Sequence, residues 1–412
     1  MAIKKVAIVD TCLPITKQSG RGMSARYLQW ELQRNGVSES SIEDADIIFA
    51  SCQSTESYKY LQSLRNKFTQ KIIISGGAAS TSPYTLGKYS DMVCVGDGQR
   101  FIETIFLEGV AAASKLDNVW IDGETRNVEI DQHFPFDMPP IQGEDGAYRL
   151  WCGRGCKNKC KFCQTGWAYE YKENPNPVAL IDQSKRLLAS GKKINYLSND
   201  ISQHTFYNML PAVEHGSYSI RFLKKTGLPP ARQVRLGIEG VSERLRSSVS
   251  KPISHDDLIG CTTWLNENKK SVRWFMIAGL PGETERDWQE LKLAVQQWKK
   301  YTQKGVLALS FTAFCPDPAT PLCGAALDDT YWDYYIDFKK WFFDGHGWSN
   351  RVKLMNPQQP KSRMQKAIAS TGMSEDQLRE GGHMSPNSRL NYPYAKNTLK
   401  AIKEEAVRIS DL

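Results

Sequence analysis

The segment Arg154-Gly-Cys156-Lys-Asn-Lys-Cys160-Lys-Phe-Cys163 decides the fold of this chain. Three cysteines follow one another at CxxxCxxC spacing, and Cys152 lies just before them. Three thiolates on one loop can hold three irons of a 4Fe–4S cluster and leave the fourth iron open. A zinc site built from all four cysteines is the alternative. Zinc favours paired cysteine knuckles separated by a longer loop, so the spacing favours the iron–sulfur cluster.

The composition is that of an ordinary globular protein. The chain has 412 residues, of which 41% are hydrophobic and 24% charged, and its mean hydropathy is −0.47. At about 100–200 residues per domain this length predicts two to four domains. The sequence has no apolar run near the roughly 18–20 residues of a membrane span, and its first ten residues lack a signal-peptide pattern. These features exclude disordered, fibrous and membrane classes, and we expect a cytoplasmic protein.

Cysteine usage and charge narrow the function classes further. Four of the ten cysteines crowd into one loop, which indicates a metal site rather than a disulfide framework. Residues 1–140 carry a net charge of −3 and the remainder +11. The basic part is compatible with an anionic substrate such as RNA, DNA or a nucleotide. A solvated lysine-rich surface explains it equally well, because no basic run exceeds three residues.

The first 124 residues alternate short apolar runs with helix-like patterns at 22–35, 56–68 and 99–108. Continuous apolar runs are typical of strands buried on both faces, as in a parallel sheet covered by helices. We therefore predict an α/β fold that begins with a Rossmann-like, doubly wound domain over residues 1–124. Ligands of such domains bind outside the carboxyl ends of the strands. The runs are 6–9, 47–50, 72–74 and 92–95, and the loops after them are 10–12, 51–54, 76–78 and 96–98.

Prolines at 135, 139 and 140 place a linker at residues 125–147. After the linker the alternation of strands and helices resumes, and we predict a partial (β/α)6 barrel over residues 148–325. The C-terminal region, 326–412, is predicted to be helical and aromatic-rich, with helices at 331–343 and 395–408 in which the aromatic residues serve mainly for packing. The predicted barrel strands are 148–151, 194–198, 219–223, 233–239, 272–278 and 306–313.

The cysteine motif, with Phe162 just before its last cysteine, resembles the radical S-adenosylmethionine superfamily. The segments 237–246 and 275–284 are similar to those that line the S-adenosylmethionine site of that superfamily. The resemblance implies a 4Fe–4S cluster on Cys156, Cys160 and Cys163. It also implies reductive cleavage of S-adenosylmethionine to a 5′-deoxyadenosyl radical, and a flavodoxin- or ferredoxin-like electron donor. Cys152 is predicted to be a structural thiol, with a role near the substrate left open. The implied S-adenosylmethionine contacts are Phe162, Ser198, Asn199, Arg235, Glu239, Ile277 and Gly279.

Two branches of that superfamily carry a Rossmann-like domain in front of the barrel. The glycine-rich loops at 74–83 and 95–103 resemble those of the cobalamin-binding branch. Residues 1–132 contain no histidine, so any cobalt here would lack histidine ligation. Residues 44–52 instead resemble a segment of the methylthiotransferases, which hold a second cluster, and a domain without a cofactor is the third alternative. The expected cobalamin contacts are Cys12, Cys52, Ser54, Gly76, Gly77, Gly96 and Gly98.

The leading prediction for function is a cobalamin-dependent radical S-adenosylmethionine methyltransferase that acts on an unactivated carbon or phosphorus centre. The alternatives are sulfur insertion into transfer RNA or a protein, a radical rearrangement or cyclisation, and a binding module with a non-catalytic cluster. A second cluster in the first domain would need Cys12, Cys52 and Cys94 to converge. Because Cys94 is predicted to lie within a strand rather than in a loop, the sequence favours cobalamin over a second cluster.

Overall fold

A computed structural model describes residues 5–14, 21–123, 128–211, 213, 217–229, 231–302, 305–344 and 352–381. The strands are β1 (Val6–Asp10), β2 (Ile47–Ser51), β3 (Ile72–Gly76), β4 (Met92–Cys94), β5 (Val119–Trp120), β6 (Ile141–Gln142), β7 (Tyr148–Trp151), β8 (Gly153–Arg154), β9 (Lys172–Glu173), β10 (Ile194–Leu197), β11 (Ser217–Tyr218), β12 (Gln233–Glu239), β13 (Ser271–Ala278), β14 (Val306–Ala313) and β15 (Val352–Met355). The helices are α1 (Met23–Arg34), α2 (Tyr58–Lys67), α3 (Pro83–Gly87), α4 (Gln99–Glu108), α5 (Val110–Ala113), α6 (Gln164–Ala168), α7 (Pro177–Ala189), α8 (Ile220–Thr226), α9 (Glu243–Ser248), α10 (His255–Glu267), α11 (Glu285–Tyr301), α12 (Thr330–Phe343), α13 (Pro360–Thr371) and α14 (Glu375–Glu380).

The first sheet has the order β1-β2-β3-β4-β5, with β1 to β4 parallel and β5 antiparallel at the edge. Every residue of β1 and β2 is buried, because apolar side chains of both faces pack against helices. One face packs with α1 and α4, and the opposite face packs with α2 and α3. The parallel, helix-covered sheet and the three predicted helices are confirmed.

The strand order corrects the doubly wound prediction. The chain steps from β1 to β4 in one direction, so the order has no reversal such as doubly wound folds show. The apolar runs of 6–9 and 47–50 reveal burial on two faces, but they carry no signal for which strands are neighbours.

In the second half of the described chain, β8 and β9 form a two-stranded antiparallel sheet, and two larger sheets hold the other strands. One has the order β10-β7-β6, and the other is the parallel sheet β11-β12-β13-β14-β15. Five of the six predicted barrel strands are present. The predicted strand at 219–223 is wrong, because α8 begins there after the two-residue strand β11. Ile220 and Leu223 are the buried apolar residues of this segment, and their spacing of three is helical.

The C-terminal region is not wholly helical. Strand β15 pairs in parallel with β14 and extends the sheet beyond the predicted set. Helix α12 confirms the predicted helix at 331–343, and its buried aromatic side chains pack on the outer side of the sheet. The Trp288 ring of α11 stacks on Phe311 of β14 at 5.4 Å between centroids. The predicted helix at 395–408 lies outside the described residues. Among the described helices, none is both long and apolar enough to cross a bilayer.

Candidate active site

The segment 154–163, which carries Cys156, Cys160 and Cys163, is called the cysteine loop here. A cavity of about 380 Å³ lies between this loop and the carboxyl ends of the strands of the first sheet. This size is within the range of cofactor and ligand sites. One wall consists of the loops after β3 and β4, and the other of the end of β7 and the segment after it. The cavity therefore joins the two regions that the sequence predicted to carry cofactors. The predicted residues in its wall are Gly76, Gly77, Gly96, Gly98 and Asn199.

Two glycines lie in the sheet-side wall of the cavity. Gly77 has φ +97° and Gly96 has φ +90°, a region that favours glycine. A Cβ atom at Gly77 would lie 2.8 Å from the carbonyl oxygen of Cys52, and one at Gly96 would lie 2.4 Å from that of Asp131. Glycine is therefore required at both positions, because any side chain would collide with the neighbouring backbone, and this packing fixes the path of the two loops in the cavity wall.

An ion pair connects the two walls. Arg154 Nη2 lies 2.8 Å from Asp97 Oδ1, and the Arg154 guanidinium stacks 3.9 Å from the ring centre of Tyr169. Burial raises the pKa of Asp97 to about 6, although Arg154 lowers it. Among the described residues, the buried Asp97 Oδ2 and Arg154 Nε have no hydrogen-bond partner. These orphaned polar atoms belong to residues of the cavity wall, as expected where a polar ligand would bind.

The predicted linker also contributes to the cavity. Phe134 packs edge-on against Trp151, with ring centres 4.7 Å apart, and lies 5.6 Å from the Arg154 guanidinium. Sequence reasoning missed Phe134, Arg154 and Asp97 as site residues. Arg154 precedes the first motif cysteine by two residues and Asp97 lies between two glycines, and these positions were the available signals.

The three motif cysteines lie close enough that their charges interact. Burial, with smaller contributions from the charges of Cys163 and Cys156, raises the pKa of the Cys160 thiol to about 12. Gln203 Nε2 lies 3.2 Å from Cys156 Sγ, while Gln203 Oε1 accepts the Lys157 N–H at 2.8 Å. Gln203, which the sequence did not single out, thus orients the first thiol of the loop.

The three motif cysteines are not gathered around a single point. Within the described part of the chain, no three His, Cys, Asp or Glu side chains are placed to hold one metal ion. A zinc site needs its ligands around a single point, whereas in a four-iron cluster each thiolate binds its own iron. Cys152 is fully buried, and burial alone raises the pKa of its thiol. It therefore lies in the core, apart from the three motif cysteines.

A buried cation lies beside the cysteine loop. Lys251 Nζ is 2.9 Å from Glu239 Oε1, and both charges act on the pKa of Cys160, Lys251 lowering it and Glu239 raising it. Glu239 has φ +69° at the end of β12, an unusual conformation for a residue with a side chain. The predicted residue Glu239 is thus held at the end of its strand, beside Cys160.

Ser198 and Asn199 lie in the loop after β10. Asn199 Nδ2 donates to the carbonyl oxygen of Gly155 at 3.3 Å, which ties this loop to the cysteine loop. Ser198 Oγ lies 2.7 Å from His204 Nε2. Burial lowers the pKa of His204 to about 4, so its ring is neutral at pH 7.

Glu283 holds the loop that contains Gly279. Both carboxylate oxygens of Glu283 accept the Gly279 N–H at 3.0 Å, and Oε1 also accepts the Trp288 indole N–H at 2.8 Å. Burial raises the pKa of Glu283 to about 7. The Gly-Leu-Pro-Gly-Glu segment therefore fixes the carboxyl end of β13, next to the predicted residue Ile277.

Several predicted site residues do not line the cavity. Cys12 is exposed and Cys52 is buried, and neither they nor Ser54 belong to the cavity wall. Phe162 is half-buried against the core. Arg235 lies four residues before Glu239, which corresponds to about 13 Å along the strand. It is thus set apart from the residues beside the cysteine loop.

The three cysteines of the first sheet do not converge. Cys52 packs in the hydrophobic cluster on one face of the sheet, and Cys94 packs in the cluster on the other. Cys94 ends β4, contributes to the cavity wall and accepts from Asn118 Nδ2 at 3.6 Å. Because the sheet separates Cys52 from Cys94, these thiols cannot share one cluster in this arrangement.

Comparison with known proteins finds one relative by sequence and several solved structures with a similar fold. No family model matches the sequence. A protein from Methanocaldococcus jannaschii, named "Uncharacterized protein MJ0966", is 24% identical over 324 residues, which are 68% of each chain. The radical S-adenosylmethionine methyltransferase TsrM from Kitasatospora setae, solved with tryptophan and an S-adenosylmethionine analogue, matches with a TM-score of 0.56 and 13% identity over 99% of each chain. The same enzyme solved with cobalamin and a [4Fe–4S] cluster also gives 0.56, at 14% identity over 79% of this chain and 77% of that one.

A second neighbour with a similar fold is a longer chain. The cobalamin-dependent S-adenosylmethionine radical enzyme OxsB, solved with aqua-cobalamin and S-adenosylmethionine, matches with a TM-score of 0.50 and 14% identity. The match covers 99% of this chain and 66% of OxsB. The predicted resemblance to the cobalamin-binding branch of the radical S-adenosylmethionine superfamily is therefore confirmed at the level of the fold.

The raised pKa of Glu283 predicts a pH-dependent stability. The folded chain holds the Glu283 proton more tightly than the unfolded chain does, so the free energy of unfolding should fall as the pH rises from about 4.5 to about 7. Glu283→Gln should remove this part of the slope. The measurement is the urea-unfolding midpoint between pH 5 and 8, with Glu285→Gln, an exposed carboxylate of α11, as control. Equal slopes in the wild type and Glu283→Gln would contradict the assignment.

Proposed function

We propose that this chain is a cobalamin-dependent radical S-adenosylmethionine enzyme that transfers a methyl group to an unactivated carbon or phosphorus centre. The observation that carries the proposal is the cavity between the glycine loops of the first sheet and the cysteine loop. A cofactor in this cavity would lie next to the cysteine motif. TsrM and OxsB, which have this fold, were solved with cobalamin bound.

The residues of the chain fit these groups. Cys156, Cys160 and Cys163 would hold three irons of the cluster, and the Gly76–Gly77 and Gly96–Gly98 loops would support the corrin ring. When bound, the cluster with S-adenosylmethionine supplies the radical that abstracts a hydrogen atom, and cobalamin carries the methyl group. A low-potential flavodoxin- or ferredoxin-like protein would supply the electrons.

The chain's own contribution is positioning and exclusion of water. Phe134, Trp151 and Tyr169 form an aromatic part of the cavity wall, which keeps water from a reactive centre. Arg154 holds the Asp97 loop against the cysteine loop. Lys251, paired with Glu239 beside Cys160, supplies a buried positive charge suited to a carboxylate. Asn199 anchors the cysteine loop through Gly155.

Sulfur insertion is the less favoured function. It requires a second cluster in the first domain, and Cys52 and Cys94 lie on opposite faces of its sheet. The first domain offers a glycine-lined cavity instead of three convergent thiols.

The first test is a product analysis. Anaerobically reconstituted protein with cobalamin, a low-potential reductant and S-adenosylmethionine should form both 5′-deoxyadenosine and S-adenosylhomocysteine, because radical chemistry and methyl transfer each consume one S-adenosylmethionine. 5′-Deoxyadenosine alone would contradict methyl transfer and favour rearrangement or cyclisation. If neither product forms, the result would favour a non-catalytic cluster.

The second test concerns the cavity. Ser24 of α1 lies in its wall, and Ser24→Trp fills part of the space. We expect the Kd for cobalamin to rise at least about tenfold, a cost of about 1.4 kcal/mol, while the iron content stays unchanged. The matched control is Gln33→Trp, an exposed position of the same helix. The Kd is measured by equilibrium dialysis. Equal affinity of the two variants for cobalamin would show that cobalamin binds elsewhere.

A further inference from the structure

Helices cover one face of the parallel sheet β11–β15. Trp274 of β13 is fully buried, and its indole N–H donates to Thr262 Oγ1 of α10 at 3.0 Å. Successive side chains of a strand point to opposite faces. Arg273, the neighbour of Trp274, therefore projects from the opposite face, where its guanidinium lies 6.0 Å from the Phe275 ring centre.

Three cations share one row on this second face. Arg273 pairs with Arg235 of β12 on one side and with Ala308 of β14 on the other, and Ala308 pairs with Lys353 of β15. Residues paired across parallel strands lie on the same face of the sheet. With strands about 4.8 Å apart, the row spans about 14 Å from Arg235 to Lys353.

No acceptor on the described residues balances these charges. Arg235, Arg273 and Lys353 form no salt bridge or side-chain hydrogen bond there, and Arg273 Nε is buried without a partner. The nearest carboxylate along β12, that of Glu239, is bonded to Lys251 at the far end of the strand. Like charges directly opposite each other in a sheet cost stability. Three unbalanced cations therefore lower the stability of the fold by their repulsion, and a ligand of opposite charge would explain why they lie together.

We propose that this cationic row binds an anionic group of the substrate, a carboxylate or a phosphate. The inference rests on the proposed function, since it names the substrate class of the same enzyme. The planar fork of Arg273 presents paired donors that match both anions. Arg235 lies about 13 Å from the carboxyl end of its strand, so the anionic group would bind remote from the reacting atom. A row this short fits one such group, whereas nucleic-acid binding uses longer basic stripes.

The test measures anion binding by the full chain. Isothermal titration with inorganic phosphate and, separately, with succinate should detect binding of at least one anion by the wild type. Arg273→Gln/Lys353→Gln should weaken it at least about tenfold. The control with the same charge change is Lys185→Gln/Arg186→Gln, on exposed positions of α7. If neither anion binds the wild type, or if the control pair weakens binding equally, the proposal is wrong.

Stability and geometry provide two further readouts. Because Arg273→Gln/Lys353→Gln relieves repulsion, its thermal unfolding midpoint at low salt should equal or exceed that of the wild type, and a lower midpoint would indicate a structural role instead. Arg273→Lys keeps the charge but loses the fork, so its affinity should fall between the wild type and the double variant. Affinity equal to that of the wild type would contradict the fork geometry.

These outcomes are independent of the proposed function. Titration needs neither the cluster nor cobalamin, so anion binding that is lost in the double variant would survive a failure of the product analysis. Conversely, formation of 5′-deoxyadenosine and S-adenosylhomocysteine by a protein that binds neither anion would overturn only the cationic row. A response to phosphate alone or to succinate alone would support the row and identify which anion the substrate carries.

Discussion

The ion pair between Arg154 and Asp97 is the constraint on which the rest of the site depends. Arg154 belongs to the cysteine loop and Asp97 to a glycine loop of the first sheet, so their 2.8 Å contact sets how the two halves of the chain face each other. The pair is largely buried, and removing one partner would leave an uncompensated charge at a cost of about 3–5 kcal/mol. This contact closes one side of the cavity, while Gly77 and Gly96 let the loops of the opposite wall pack tightly on the neighbouring backbone.

The same geometry separates the roles of the cysteines. Cys156, Cys160 and Cys163 lie on one loop with interacting charges, next to Gln203 and the Lys251–Glu239 pair. The cysteines of the first sheet are divided between its two faces instead. One set can act as ligands of a single cluster and the other cannot. This division supports the proposal of one site for a cluster and one for a macrocycle, with Arg154 between them.

Much of the fold could be predicted from local sequence. Continuous apolar runs identified β1 to β4, and the cysteine motif located the loop that forms the far wall of the cavity. The segment 219–223 was mistaken for a strand because five residues hardly distinguish a spacing of three from alternation. The strand order and the Arg154–Asp97 pair could not be predicted, since partners 57 positions apart in the chain leave no local signal. Phe134 was missed because prolines around it suggested only a linker, and Arg235 was placed with Glu239 although the strand sets them apart.

The measurement that tests the account most directly is the iron and cobalt content of each chain after anaerobic reconstitution with iron, sulfide and hydroxocobalamin. If each chain holds one cluster and one macrocycle, we expect about four irons and one cobalt per chain. The iron content should be unchanged in the double variant Cys12→Ala/Cys52→Ala. About eight irons and no cobalt in the wild type, with about four irons in that double variant, would contradict the account and show that the first domain holds a second cluster.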